Sequence, residues 1–124
     1  MAAYVDGFVI PIPKRNLQRY RRIARTAGKI WMEYGAVEYR ECVGDDLSAG
    51  AGVTSFGKLL KLKPGETALF SWIVYRSKAD RKRVNGRVMK DRRILAMMGE
   101  DDNPFDNRRM AYGGFKAIVE FVEP

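Results

Sequence analysis

The sequence contains no histidine and a single cysteine, Cys42. The lack of histidine excludes Ser-His and Cys-His nucleophile pairs, imidazole general bases and a proximal haem ligand. One cysteine excludes an internal disulfide, which is typical of a reducing compartment, and it cannot complete a zinc or copper site. We therefore predict no cofactor and no metal centre, and we expect any proton transfer to depend on a carboxylate, a lysine or a tyrosine.

Long apolar runs are also missing. No run approaches the ~18 residues that a membrane-spanning helix needs, and the N-terminus lacks the pattern of a signal peptide. With 124 residues, 46% hydrophobic and 31% charged, the chain is long enough to bury a core of its own. We expect a single domain over residues 1–124 in a soluble, cytoplasmic protein without a membrane partner.

Positive charge is in excess and is unevenly distributed. The chain holds 23 Lys and Arg residues against 15 Asp and Glu residues, a net charge of +8. Residues 14–29 carry seven basic side chains and no acid, and residues 76–93 carry nine basic side chains and two acids. Such segments attract polyanions, although solvated helix faces give the same pattern. The candidate polyanion-binding face comprises Arg19, Arg22 and Arg83.

The segment Glu66–Tyr75 is almost entirely apolar and is rich in β-branched and aromatic residues. It follows the turn signal of Lys63, Pro64 and Gly65. A run of this kind predicts a strand that is buried on both faces, inside a sheet.

Two helices are predicted by periodicity and capping residues. From Arg15 to Tyr34, apolar residues recur every three or four positions, and Gly35 follows as a stop signal. A second helix begins after Ser77, which resembles an N-cap with Asp80 three residues later, and continues to about Lys90. A further helical turn is expected at residues 94–98.

The remaining elements complete a repeated β-α-β order. Strands are predicted at 4–11, 36–43 and 110–121, an irregular strand or turn at 53–62, and loops at 44–52 and 99–108. Two β-α-β units with right-handed crossovers form an α+β, ferredoxin-like βαββαβ fold: a four-stranded antiparallel sheet with both helices on one face and the first and third strands in the centre. We expect the opposite, open face to carry Asp6, Phe8, Tyr112 and Lys116, and to bind a ligand or a second copy.

Several motifs resemble the YbaA-like family of small uncharacterised bacterial proteins, a domain of unknown function. They are Tyr-Val-Asp-Gly-Phe at 4–8, Phe-Ser-Trp-Ile-Val-Tyr at 70–75, Pro-Phe-Asp at 104–106 and Tyr-Gly-Gly-Phe-Lys at 112–116. Arg92 departs from the pattern, since a proline is expected after Asp91. The resemblance implies the dimeric α/β-barrel superfamily, in which two ferredoxin-like sheets pair through their open faces to form a homodimer. It implies no mechanism.

The leading functional hypothesis is a small-molecule site inside this barrel. Asp6, Ser71, Tyr112, Lys116 and one of Glu38 or Glu41 could converge there from four strands. A carboxylate beside a lysine in a desolvated cavity would have a shifted pKa, which would let a site without histidine transfer protons. The alternative is a dimer interface containing an internal ion pair.

Nucleic-acid and metal binding are the other hypotheses. The RNA-recognition motif shares this element order, but the aromatic segment that resembles its signature, residues 113–121, lies on the last strand instead of the third. An RNA or another acidic partner would therefore bind through the basic helix faces. The acidic segments 100–103 with Asp106, and 45–46, are oxygen-rich but lack EF-hand spacing. Cys42 is expected to be a small buried residue and not a nucleophile.

Overall fold

A computed structural model describes residues 2–99 and 103–124, and within them it forms one four-stranded antiparallel sheet. The strands are β1 (Tyr4–Pro13), β2 (Glu38–Val43), β3 (Glu66–Tyr75) and β4 (Ala111–Lys116). Their order is β2-β3-β1-β4, with every neighbouring pair antiparallel. The first and third strands are central, which confirms the ferredoxin-like α+β prediction.

The two long helices lie on one face of the sheet. They are α1 (Leu17–Glu33) and α3 (Lys78–Val88); shorter helices α2 (Phe56–Leu59) and α4 (Arg92–Met98) complete the set. Short 3-10 turns occupy Lys14–Asn16 and Asn107–Arg109. The buried core joins α1, α3 and β3 through residues that include Ala27, Ile30, Ile73, Tyr75, Val84 and Val88. Segment 53–62, predicted as an irregular strand or turn, contains helix α2.

Helix boundaries follow the capping signals in the sequence. Ser77 Oγ accepts the Asp80 N–H at 3.1 Å, as expected for an N-cap. Gly35, just past α1, has a φ of +117°, a value that side chains disfavour. Asp91 caps α4 by accepting the Arg93 N–H at 2.8 Å. Arg92, where the motif resemblance led us to expect proline, is therefore the first residue of a helix, a position that accepts either residue.

Strand β1 continues to Pro13, two residues beyond its predicted end. Its pairing with β4 covers only Tyr4 to Val9, whereas its pairing with β3 continues to Pro13. Beyond Val9 no strand of the described residues pairs with this side of β1, so a residue without an N–H interrupts no hydrogen-bond ladder there.

Strand β3 is not buried on both faces within one chain. Leu69, Ser71, Ile73 and Tyr75 are buried under the helices, but Phe70 is 46% exposed on the other face. The aromatic and β-branched composition of β3 predicted a strand covered on both sides. Short helix α2 reaches this second face, where the ring of Phe56 meets Phe70 edge-on with centroids 5.8 Å apart, but it leaves Phe70 half-exposed. We call this second face the open face; it carries Val5, Val9, Phe70, Trp72, Val74 and Phe115.

Strand β4 ends at Lys116, not at Phe121 as predicted. Its partner β1 begins at Tyr4, which pairs with Lys116, so the described strand pairing ends there. Beyond it, Ala117 N–H donates to Ala3 O at 3.0 Å, and Ala3 N–H donates to Glu120 Oε1 at 3.0 Å. The segment 117–124, which we call the tail, leaves the sheet with its large apolar side chains between 73% and 96% exposed.

Candidate ligand-binding site

A cavity of about 460 Å³ lies between the sheet and helix α1. Its walls are mostly apolar and include Phe8, Ile10, Ala24, Ala27 and Ile73. Two groups of polar side chains also reach it, and each group is centred on a carboxylate. This combination of apolar walls and a few convergent polar groups is typical of small-molecule sites.

The first group, the Asp6 cluster, comprises Asp6, Tyr75, Arg81, Asn85 and Tyr112. Asp6 is 2% exposed, and Arg81 Nη2 lies 2.8 Å from Asp6 Oδ1. Arg81 Nε also donates to Oδ1 at 3.0 Å, and the hydroxyls of Tyr75 and Tyr112 lie 3.0 and 3.1 Å from the carboxylate. The charge of Asp6 is therefore balanced by a cation, and both of its carboxylate oxygens accept hydrogen bonds.

Helix α3 supplies the partners of Asp6 because Arg81 and Asn85 are four residues apart and lie on the same helix face. The Asn85 side-chain oxygen accepts from Trp31 Nε1 at 3.0 Å, which connects the cluster to α1. The hydrogen bond to Asp6 raises the pKa of Arg81, and burial raises the pKa of Tyr75. Both effects favour the charged arginine and the neutral tyrosine that the cluster requires.

The second group, the Glu41 cluster, comprises Glu41, Tyr20, Tyr39 and Ser71. Glu41 Oε1 accepts from the Tyr20 hydroxyl at 2.7 Å and from Ser71 Oγ at 2.5 Å. Glu41 Oε2 accepts from the Tyr39 hydroxyl at 2.7 Å. Burial, followed by the nearby Glu41 charge, raises the pKa of both Tyr20 and Tyr39, so each hydroxyl remains a donor.

Close packing of α1 on β2 holds the Glu41 cluster in place. A side chain at Gly28 of α1 would put its Cβ 2.8 Å from the ring of Tyr39, so glycine is needed for the ring to lie against the helix. Tyr20 is buried on the same helix, and its ring meets Phe105 edge-on with centroids 5.8 Å apart. Helix α1 and strand β2 thus hold the two tyrosine hydroxyls within hydrogen-bond distance of Glu41.

Glu41 differs from Asp6 in charge compensation. In residues 2–99 and 103–124, no arginine or lysine forms an ion pair with Glu41. An ionised carboxylate offers about four acceptor positions, and three neutral hydroxyls occupy three of them. One acceptor position on Oε2 is therefore available to a ligand that offers an N–H or O–H group.

Four of the six candidate site residues line this one cavity: Asp6, Glu41, Ser71 and Tyr112. They face the helices of their own chain and not the open face, so the predicted placement of Asp6, Phe8, Tyr112 and Lys116 on the open face was wrong. The reason is the Asp6–Arg81 ion pair. A charged residue in a strand suggests exposure, but here a cation from α3 covers it.

The other two candidates lie elsewhere. Glu38 is on the open face, where its carboxylate accepts from Trp72 Nε1, and Lys116 is exposed at the end of β4. Cys42 is exposed and not buried as expected, because it lies on edge strand β2 opposite Phe70 on the open face. The site also contains four residues that were not predicted from the sequence: Tyr20, Tyr39, Arg81 and Asn85. The four-residue spacing of Arg81 and Asn85 was the available signal.

The candidate polyanion face consists of three arginines in different settings. Arg22 is exposed on α1, Arg19 is half-buried, and Arg83 of α3 lies 3.5 Å from Asp80. Binding of RNA or another acidic partner through them remains a prediction.

The structure shows no metal centre in the described part of the chain. No group of three or more potential ligands is close enough to hold an ion in residues 2–99 and 103–124. Asp46 accepts from Ser48, and Asp106 pairs with Arg108. Residues 100–102 of the acidic segment lie outside the described residues. None of the described helices is long and apolar enough to cross a membrane.

Solved structures share this architecture. A dimeric ferredoxin-like protein from an uncultured marine organism matches with a TM-score of 0.59 and 7% identity, covering 100% of this chain and 95% of its own. A NIPSNAP family protein of unknown function from Agrobacterium tumefaciens matches with a TM-score of 0.56 and 13% identity, covering 93% and 87%. At such low identity these likenesses show the fold alone: the protein is a ferredoxin-like α+β domain.

Sequence comparison places the chain in a family. Residues 3–107 match the family described as Protein of unknown function (DUF1428), to which this chain belongs. The uncharacterized protein YbaA of Escherichia coli K12 is 40% identical over 117 residues, covering 94% of this chain and 97% of its own. The Shigella flexneri YbaA protein matches equally well. The resemblance noted from the motifs is thereby confirmed.

Proposed function

We propose that this protein binds a small organic molecule in the cavity between α1 and the sheet, with Glu41 as the polar anchor. The observation that carries the proposal is the unfilled acceptor position on Glu41, a carboxylate beside apolar walls that has no cationic partner among the described residues. The ligand class that fits has an apolar body and one N–H or O–H donor.

The test is a thermal-shift screen of small amines, phenols and alcohols with apolar bodies. Compounds that raise the melting temperature of the wild-type protein should lose their effect in Glu41→Gln, because the amide replaces an acceptor oxygen with a donor. Glu38→Gln is the matched control, since Glu38 is on the same strand but faces the other way. Equal shifts in all three proteins would mean that Glu41 does not anchor the compounds and would refute the proposal.

We further propose that two copies pair through their open faces. A structural neighbour, the ferredoxin-like protein from an uncultured marine organism, is described as dimeric. Phe70 and Phe115 support this pairing. Both are large apolar side chains on the open face, and they are 46% and 62% exposed, respectively. A continuous apolar sheet face of this kind is unfavourable in water. A reducing cytoplasm is the expected location, since Cys42 is an exposed free thiol.

Sedimentation velocity tests the pairing. Phe115→Asp should convert a wild-type dimer to a monomer, because it puts a charge into the apolar interface. Leu95→Asp, at an exposed apolar position on helix α4, should leave the dimer intact. A wild-type monomer at tens of micromolar would contradict this proposal without affecting the cavity.

A further inference from the structure

A second concave surface runs along the outer side of the molecule between helix α1 and edge strand β2. This groove has a volume of about 1010 Å³ and an apolar floor formed by Leu17, Ala24, Met32, Val43 and Leu69. Strand β2 is the end strand of the sheet, so the backbone groups on its outer edge have no strand partner in the described chain. An edge of this kind can accept an additional strand.

Three cations form one wall of the groove. Arg21, Arg25 and Lys29 are spaced four residues apart, so they line up along α1, and all three are exposed. None of them makes an ion pair or a side-chain hydrogen bond with any residue in 2–99 or 103–124. The occupant that fits this groove is therefore acidic as well as apolar.

The two acids that line the groove do not neutralise these cations. The oxygens of Glu41 accept from three hydroxyls, and Glu33 pairs with Arg93 at 2.7 Å. The three cations of α1 thus remain available for an acidic partner.

The tail has the complementary composition. It reads Ala-Ile-Val-Glu-Phe-Val-Glu-Pro from residue 117 to 124, and Ile118, Phe121 and Val122 are 90%, 96% and 82% exposed. β-branched and aromatic residues of this kind favour strands. Side chains alternate along a strand, so whichever face turns towards α1 carries one acid. That acid is Glu123, or Glu120, whose carboxylate accepts from Ala3 N–H at 3.0 Å within the single chain.

The tail cannot fill the groove of its own chain. It starts at the end of β4, and three strand spacings of about 4.8 Å separate β4 from β2, a distance of roughly 14 Å. Residues 117–124 span only about 26 Å when extended, so more than half of their length would be used in crossing the sheet and not in following β2. A second copy of the chain can supply its tail without this detour.

We propose that the tail of one copy adds as a strand to the outer edge of β2 in a second copy, with its acid facing Arg21, Arg25 and Lys29. The proposal rests on the self-association proposed above and specifies its second contact. It accounts for the exposed apolar tail, which is unfavourable in water. It also accounts for the three cations, which form no ion pair with the described residues of their own chain.

Native Cys42 on β2 allows a direct test in the full-length chain. Cysteine is introduced singly by Ile118→Cys, Val119→Cys, Glu120→Cys, Phe121→Cys and Val122→Cys, and disulfide-linked dimers are measured after mild oxidation. A disulfide requires Cβ atoms about 3.5–4.5 Å apart, and strand side chains alternate between faces. Cross-linking should therefore occur at alternate tail positions and not at those between them.

Two controls identify the linked residues and the role of charge. In a Cys42→Ser background the alternating dimers should disappear, since a tail-to-tail disulfide would survive this change. Arg21→Glu/Arg25→Glu/Lys29→Glu should reduce cross-linking severalfold. The matched triple Arg76→Glu/Lys82→Glu/Arg87→Glu, at exposed sites that do not line the groove, should have no such effect.

The outcomes separate the two proposals. Equal cross-linking at all five positions, none at any, or dimers that persist in Cys42→Ser would overturn the tail placement. If sedimentation still showed a dimer, only the tail placement would fail, whereas a monomer would also overturn self-association. Nucleic acid that copurifies with the wild-type protein, and is lost with the Arg21, Arg25 and Lys29 changes, would assign the cations to a polyanion instead.

Discussion

The Asp6 and Glu41 clusters line the same cavity but stabilise a carboxylate beside apolar walls in different ways. Their Cα atoms are two strands and two residues apart, which is about 12 Å. Asp6 is matched by the Arg81 cation, whereas Glu41 is matched only by neutral hydroxyls. A carboxylate whose charge is balanced and whose acceptor positions are all occupied holds helices and strands together. A carboxylate with an open acceptor position can bind a ligand.

The largest effect should come from breaking the neutralised cluster. Asp6→Asn leaves Arg81 without its counter-charge, and removal of one partner of a buried ion pair typically costs about 3 kcal/mol or more. Urea unfolding should show a loss of about 3 kcal/mol in the free energy of unfolding. A loss below about 1 kcal/mol would mean that Arg81 readily turns to solvent, and that the cluster does not hold α3 on the sheet.

Glu41→Gln should cost less stability than Asp6→Asn. It removes a charge that has no cationic partner, and it disturbs only hydrogen bonds, so about 1–2 kcal/mol is expected in the same urea experiment. If the loss exceeded that of Asp6→Asn, Glu41 would be the structural carboxylate, and the contrast between the clusters would be reversed.

Alkaline pH should expose the buried tyrosines of both clusters. Tyr20, Tyr39 and Tyr75 have raised pKa values in the folded state, mainly through burial. Their contribution to stability is complete below the unfolded pKa of about 10 and is lost as pH rises above it. Absorbance at 295 nm should show these three ionising only together with alkaline unfolding, measured in parallel by circular dichroism.

Single Tyr20→Phe, Tyr39→Phe and Tyr75→Phe variants assign the signals. Each should remove one tyrosine from the unfolding-linked step and leave the earlier ionisation unchanged. Free ionisation of all tyrosines before unfolding would show that both clusters are open to water.

The smallest effect is expected at the Glu66–Arg109 pair, which resembles the Asp6 cluster but lies nearer the surface. Arg109 donates to Glu66 at 2.6 Å, and this hydrogen bond is the main reason that the Glu66 pKa is lowered to about 2. The stabilisation is present above the unfolded pKa of about 4.3 and is lost as pH falls towards 2. Glu66→Gln should therefore lower the melting temperature slightly at pH 6.

That difference should shrink between pH 4.5 and 2, as wild-type Glu66 becomes protonated. A melting-temperature difference that did not change with pH would contradict the assignment of the effect to the Glu66 charge.

The sequence predicted the secondary structure and topology well because these depend on local patterns. The apolar periodicity of α1, the Ser77 cap and the two β-α-β units are all readable within short windows. The C-terminal end of β4 could not be predicted from such a short window. The tail has strand composition, but its pairing stops where Tyr4 begins β1.

The site was harder to predict because its contacts are distant in sequence. Asp6 meets Arg81 and Asn85, which follow 75 and 79 residues later, so nothing near Asp6 shows that its charge is covered. The sequence also did not determine which face of β2 points inward. Glu38 and Glu41 lie on opposite faces of this strand, and nothing in the local sequence shows which of the two is covered. Register against β3 decides it, because Glu41 pairs with buried Ser71.

The most direct test of the central claim is a crystal structure, or an NMR titration, of the wild-type protein with the compound that stabilises it most in the thermal-shift screen. We expect the compound to lie in the cavity between α1 and the sheet, with its N–H or O–H group bonded to Glu41 Oε2. A compound bound on the open face, or in the cavity without contact to Glu41, would contradict it.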